Sequence, residues 1–275
     1  MTRSVVKMPT VLGIGAGQTA SVDLPTGLTY DSLYLRCNAQ IAAAAKDLAA
    51  ADWATVFGDV RLIVNGDVKI TMAAADLVMR AQYYGEVLTA GVLALHLASP
   101  WMQTAHDQDV TGYGTAPING IATVATFTME MDIKAGQTVN ALTVYADQSA
   151  ALPWGPHLEI KRFNKQVGVI GTTQITDLPR GNWGLMAMHF ASSAQTRAQV
   201  FRNQTKILDL DPAMAAAVYD EGGRVPQANF THVDFCKENR ILEALPMNAQ
   251  SFNLELDMTA TGNFNLYTET IMPAN

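Results

Sequence analysis

The residues able to do chemistry are scattered along this chain rather than grouped. His96, His106, His157, His189 and His232 never fall into the His-x-His or His-Glu-x-x-His spacing that aims two imidazoles at one zinc. Several sit inside apolar runs, which suits histidines satisfied in a core or an interface. No Ser/His/Asp or Cys/His series stands out and no carboxylate pair is marked as catalytic, so no catalytic or cofactor-binding residue is assigned and no enzyme is expected. Val11-Leu12-Gly13-Ile14-Gly15-Ala16-Gly17 imitates part of a dinucleotide fingerprint. That motif needs a helix opening at the glycines, whereas Gln18–Val22 reads as a strand closed by Pro25. Asp107 with Asp109, and Asp209 with Asp211, could offer oxygens to calcium, which asks for about six to eight of them. Neither pair has the spacing of a known loop, and Asp211 before Pro212 reads as a helix cap followed by proline at the first helical position. A structural calcium is the one metal left open, and no ligand is assigned to it.

Composition narrows the classes further. Of 275 residues, 49% are hydrophobic and 16% charged, against roughly 25% charged in an ordinary soluble domain. A surface so poor in charge points to burial against other protein. The net charge of −7 argues against a direct nucleic-acid binder, which needs clustered Lys and Arg. Arg3 and Lys7 make a small basic stretch, read as an ordinary solvated terminus. Cys37 and Cys236 lie in strand-like runs and read as buried thiols, which implies an intracellular folding compartment. Residues 1–20 lack the pattern of a secretory signal, and no run reaches the roughly 20 apolar residues of a membrane span.

The elements that must carry these residues are mostly strands. Alternation and β-branched or aromatic residues mark Ser32–Asn38, Val60–Asn65, Gly91–Ala98, Thr123–Ile133 and Ala141–Ala146. They mark Leu158–Phe163, Gly184–Phe190, Ala198–Arg202, Phe230–Cys236, Ser251–Met258 and Phe264–Met272 in the same way. Helical pattern appears at Ala42–Trp53, Ala73–Tyr84 and Pro212–Tyr219. Leu33, Leu35 and Cys37 should share one buried face, as should Met186, Met188 and Phe190; each fully buried side chain of this kind contributes about 1.5–3 kcal/mol.

The order of elements repeats. Asp23-Leu24-Pro25-Thr26-Gly27, Tyr30 and a strand have a counterpart in Asp177-Leu178-Pro179-Arg180-Gly181, Trp183 and a strand, 154 residues on (177 − 23). Asn65 and Asn203, each in the turn of a strand pair ahead of a helix, are 138 apart (203 − 65), as are Val92 and Phe230 (230 − 92). Two long strands close each half. The chain thus reads as one β-domain duplicated, joined near Ala150–Pro156. The expected architecture is all-β, two tandem eight-stranded jelly rolls each with a short helix, over residues 1–150 and 151–275.

The Asp-Leu-Pro-x-Gly-x-x-Tyr opening near residue 23, the strand–Asn-Gly–helix unit at 60–84, the stretch RFNKQVGVIGTTQITDLP at 162–179 and the strand HVDF resemble the major coat proteins of the double jelly-roll lineage. The closest type is that of the corticoviruses, tailless membrane-containing bacteriophages. The Ala-rich insert at 41–56 departs from their pattern. The resemblance implies trimers of pseudo-hexagonal outline that tile an icosahedral shell over an internal membrane. It also implies partners beyond sister copies: minor capsid or penton proteins and membrane-associated virion proteins. The ends, residues 1–10 and 268–275, are the expected contacts with neighbours or membrane. The implied location is the virion capsid, after folding and assembly in the host cytoplasm. The competing class is a jelly-roll carbohydrate-binding module, for which Trp101, Tyr113, Trp154 and Trp183 would have to form an exposed platform.

Overall fold

The computed structural model of the chain describes residues 3–274. Met1, Thr2 and Asn275, the tips of the ends expected to reach neighbours, lie outside the described residues. Packing divides the chain into two compact units: residues 3–82, 86–160 and 274 make unit 1, and Tyr83–Gly85 with Lys161–Pro273 make unit 2.

The first half contains β1 (Ser4–Lys7), β2 (Thr19–Asp23), β3 (Thr29–Ile41), β4 (Ala44–Asp47), α1 (Ala50–Val56), β5 (Phe57–Val64) and β6 (Asp67–Ala73). It continues with α2 (Ala74–Tyr83), β7 (Val92–His96), α3 (Ala105–Asp109), β8 (Tyr113–Gly114), β9 (Phe127–Ile133) and β10 (Val139–Ser149). The second half contains β11 (His157–Val167), β12 (Gly171–Ile175), β13 (Gly184–Phe190), β14 (Gln195–Arg202) and β15 (Thr205–Leu210). It closes with α4 (Pro212–Glu221), β16 (Thr231–Asp234), β17 (Leu245–Pro246), β18 (Phe252–Met258) and β19 (Gly262–Met272).

In unit 1 one sheet is ordered β1-β10-β3-β7, with β4 and β8 also paired to β3, and the other β6-β5-β9-β2. In unit 2 the orders are β11-β19-β13-β16, with β17 added to β13, and β15-β14-β18-β12. With the short extras β4, β8 and β17 set aside, each unit has eight strands and the same order. The first, eighth, third and sixth strands form one sheet; the fifth, fourth, seventh and second form the other. This is the jelly roll, built twice.

Alternation explains the burial. In β9 and again in β18 every second residue is buried, as expected where one face of a strand packs inside a sandwich and the other meets solvent. Leu33, Leu35 and Cys37 of β3 are fully buried, as their spacing predicts. In β13 the predicted face is altered. A bulge between Leu185 and Ala187 shifts the register, so Leu185, Met188 and Phe190 enter the core of unit 2 while Met186 is buried elsewhere.

The helix predicted at Ala42–Trp53 is not formed as such. Ala42 and Ala43 turn the chain with φ of 51° and 66°, β4 pairs back onto the end of β3, and the helix begins only at Ala50. Alanine favours helix by local propensity, but strand pairing across the turn overrides it. The N-terminal stretch is likewise more than a solvated end, since Ser4–Lys7 pair in register with Tyr145–Gln148 of β10.

One turn recurs with the same chemistry. Asn65 (φ 52°) and Gly66 (φ 79°) join β5 to β6, while Asn203 (φ 49°) and Gln204 (φ 65°) join β14 to β15. Both are left-handed two-residue turns, where asparagine is among the best tolerated residues. Asn65 Oδ1 accepts from the backbone N–H of Ala125 (2.7 Å) and Thr126 (3.2 Å), and Asn65 N–H donates to Thr126 O (2.9 Å). Asn203 Oδ1 accepts from Gln250 (2.8 Å) and Ser251 (3.2 Å), and its N–H donates to Ser251 O (3.0 Å). In each unit the asparagine clasps the residues just ahead of the seventh strand. Asn65→Ala and Asn203→Ala should each lower the unfolding free energy by about 1–3 kcal/mol, because two backbone donors lose their acceptor and alanine resists the turn. Urea denaturation checks this; wild-type midpoints in both variants would contradict it.

Candidate functional site

Each unit buries polar side chains of its own. In unit 1, Lys69 of β6 places Nζ 2.9 Å from Glu159 Oε1 and 2.7 Å from Asp67 Oδ2, and 5.9 Å from the centroid of Trp154. Burial opposes the charge on Lys69, but the two carboxylates outweigh it and its pKa is raised. Trp154 also packs on Tyr113 and His157, and the Tyr113 hydroxyl donates to Leu158 O at 2.5 Å. Burial pushes the Tyr113 phenol well above its usual range. Arg3 faces the buried carboxylate of Asp31 at 3.5 Å and also pairs with Asp109. His96 bonds Ser32 Oγ at 2.6 Å and faces Glu86 at 2.7 Å, while His106 is exposed on α3.

Unit 2 holds the denser cluster. His189 of β13 and His232 of β16 are directly opposite in register, with their Nδ1 atoms 2.8 Å apart. His189 Nε2 lies 2.9 Å from Glu269 Oε1 of β19. Tyr84 donates to Glu269 Oε2 at 3.2 Å, and Tyr83 stacks on the His232 ring at 4.2 Å and donates to Asp234 at 3.1 Å. Arg224 Nε donates to Asp234 Oδ2 at 2.9 Å, and Nη2 to Cys236 O at 3.1 Å. Both members of the Arg224–Asp234 pair are almost wholly buried. Burial acts against the arginine charge, yet Asp234, with Tyr84 and Tyr83, more than offsets it and the pKa is raised.

The aspartates considered for calcium have internal partners. Asp209 is held well below the usual carboxylate range by Arg197, Lys206 and Gln199. Asp211 caps α4 by accepting from Met214 N at 2.8 Å. Asp107 receives the α3 cap, its N–H donating to Thr104 Oγ1, and Asp109 meets Arg3. Among the described residues no group of three or more His, Cys, Asp or Glu is placed to hold a metal. The four aromatics required for a sugar platform are spent on packing. Tyr113 is fully buried, Trp154 lies against it, Trp101 lies under the Arg80 guanidinium, and Trp183 packs on the core of unit 2. Sequence alone does not group His189 with His232, because they are 43 residues apart; the one signal is a histidine in each of two strands dense in apolar residues.

Comparison with known proteins adds to this geometry. The model of the viral coat protein P2 N-terminal domain matches residues 5–149, and that of the viral coat protein P2 C-terminal domain matches residues 158–274. The chain belongs to the viral coat protein P2 family. It is a structural coat protein of the double jelly-roll fold and not an enzyme. A relative, the major capsid protein P2 of Pseudoalteromonas phage PM2, is 24% identical over 265 residues, covering 94% of this chain and 92% of the relative. The crystal structure of P2 from bacteriophage PM2 superposes with a TM-score of 0.86 at 22% identity, over 100% of this chain and 98% of that one. The STIV MCP gives a TM-score of 0.69 at 10% identity, with the same coverage of both chains. The PBCV-1 virus capsid gives 0.58 at 11%, over 98% and 94%.

What the buried clusters of this coat protein do chemically is hold strands, since a paired charge stripped of its partner in the interior is costly. Arg224→Met alone should cost about 3–5 kcal/mol by leaving Asp234 unpaired, and Arg224→Met with Asp234→Leu should recover part of the loss. Chemical denaturation of the three proteins tests this; a single variant as stable as wild type would refute the assignment.

Proposed function

We propose that this chain is the repeating subunit of an icosahedral viral shell, in which three copies form a capsomer of pseudo-hexagonal outline lying over an internal membrane. The match of both halves of the chain to coat protein domains carries the reading. A trimer of doubled jelly rolls offers six similar sides and so meets six neighbours, which gives the duplication a geometric purpose. The low charged share suits a large permanent interface. Bare apolar side chains supply material for one: Ile207 on β15 is 42% exposed, Met214 on α4 52% and Val225 50%.

The finer partners follow from the same reading. Minor capsid or penton proteins close the corners, membrane-associated virion proteins lie beneath, and the chain ends reach neighbours or lipid. With a net charge of −7 the chain leaves the genome to other components. Folding and assembly take place in the host cytoplasm.

Size-exclusion chromatography with light scattering tests the core of the proposal. The expected mass at micromolar concentration is three chains; a strict monomer would overturn the reading. Met214→Glu should weaken association at least tenfold, about 1.4 kcal/mol, without unfolding the chain.

A further inference from the structure

The hydrogen bonds around the histidine pair of unit 2 admit one proton arrangement. The backbone N–H of Gln227 donates to His232 Nε2 at 3.2 Å, so that nitrogen carries no hydrogen. The proton of a neutral His232 therefore sits on Nδ1, where it is donated to His189 Nδ1 at 2.8 Å. The proton of His189 then sits on Nε2 and is donated to Glu269 Oε1 at 2.9 Å, leaving Glu269 Oε2 to accept from Tyr84. With two neutral imidazoles and an ionised Glu269, every atom in this chain is satisfied. Reversing it, with the proton on Glu269, would set a hydrogen on His232 Nε2 against the Gln227 N–H.

An additional proton on either histidine breaks a hydrogen bond of the chain. On His232 it must occupy Nε2 and meet the Gln227 N–H. On His189 it must occupy Nδ1 and meet the His232 Nδ1–H. On Glu269 it either meets the His189 Nε2–H or obliges the Tyr84 hydroxyl to turn from donor to acceptor. His189, His232 and Glu269 are 0%, 4% and 0% exposed, so water cannot relieve the conflict inside the closed structure.

We infer that the Gln227–His232–His189–Glu269 chain is an acid-sensitive latch holding strand β16 to β13, released when His232 takes up a proton. The strand it holds is four residues long and ends its sheet; its far end is held separately, through Asp234, by Arg224, Tyr83 and Tyr219, so release begins at the His232 end. The ionisable groups around the latch include Glu269 and Tyr267 on β19, the latter opposite His189, Tyr83 at the end of α2 and Tyr84 just after it, Tyr219 on α4, Arg224 after it, and Asp234 on β16. Tyr83 covers His232 by stacking, Tyr219 accepts from Asp234 N–H, and Arg224 pairs with Asp234 and lies over the Tyr84 ring at 4.8 Å. Burial, and then the neighbouring His189, drive the His232 pKa down to about 2 in the closed form, with Glu269 opposing. In an open form the imidazole returns to about 6.5. A depressed closed-state pKa gives stability that is complete above about 6.5 and is lost as the pH falls below it.

The test is amide hydrogen exchange of the full chain between pH 7.5 and 5.0, corrected for intrinsic rates, followed at residues 231–234. The latch requires the opening equilibrium there to rise about tenfold per pH unit below about 6.5, and His232→Gln, which keeps an acceptor and a donor without the titration, to flatten that slope. His106→Gln, on the exposed α3 histidine, should leave it intact. Protection of 231–234 in the wild type that does not change with pH would overturn the inference, as would a wild-type slope in His232→Gln. Should His232→Gln fail to fold, nuclear magnetic resonance of the wild-type imidazoles decides. His232 holding its neutral signature in the closed form down to pH 5 supports the latch; titration near pH 6.5 with protection retained refutes it.

Discussion

An asparagine in a left-handed turn, its side-chain oxygen gripping two backbone N–H groups of a distant segment, sets the register on which each jelly roll depends. The hairpin between the fourth and fifth strands is local and forms from its own turn chemistry. The seventh strand arrives after a helix and a long excursion, and a one-residue slip in it would turn its buried set outward. Asn65 and Asn203 fix the residues that lead into that strand, by the same three hydrogen bonds in each unit. Shared strand order shows that two domains have the same fold; a shared clasp at aligned positions shows that the fold is specified by the same residue doing the same work.

Once the sandwiches are closed, the outer faces differ in what they cover. β13 is buried on both faces, so its bulge must sort Leu185, Met188 and Phe190 inward and leave Ala187 and His189 to the opposite side. That opposite side is where the histidines, Glu269, Asp234 and Arg224 gather. A buried polar network of this kind holds strands only while every member is satisfied, which makes it specific and also sensitive to a single added proton.

Much of this was legible in the sequence. The long alternating strands, the Asn-Gly turn and the repeated Asp-Leu-Pro motif are local signals, and the fold follows them. β13 spans the predicted Gly184–Phe190 in full. The β12 and β15 segments are rich in polar residues and largely exposed, so their pairing is visible only once β18 and β14 are in place beside them. The Ala-rich insert misleads because propensity describes an isolated segment, while Ala44–Asp47 answers to the strand next to it. The latch was invisible for a related reason: Gln227, His232, His189 and Glu269 come from separate parts of unit 2, and only strand register brings them together.

The central claim is that one chain folds the same sandwich twice and that the product is a shell subunit. Electron cryomicroscopy of particles built from this chain, at a resolution that traces strands, addresses it most directly. The account requires two sandwiches per chain, each of four strands on four in the order given above, with Asn65 and Asn203 each seated ahead of the seventh strand. A single undivided sandwich, or a second half with a different strand order, would contradict it.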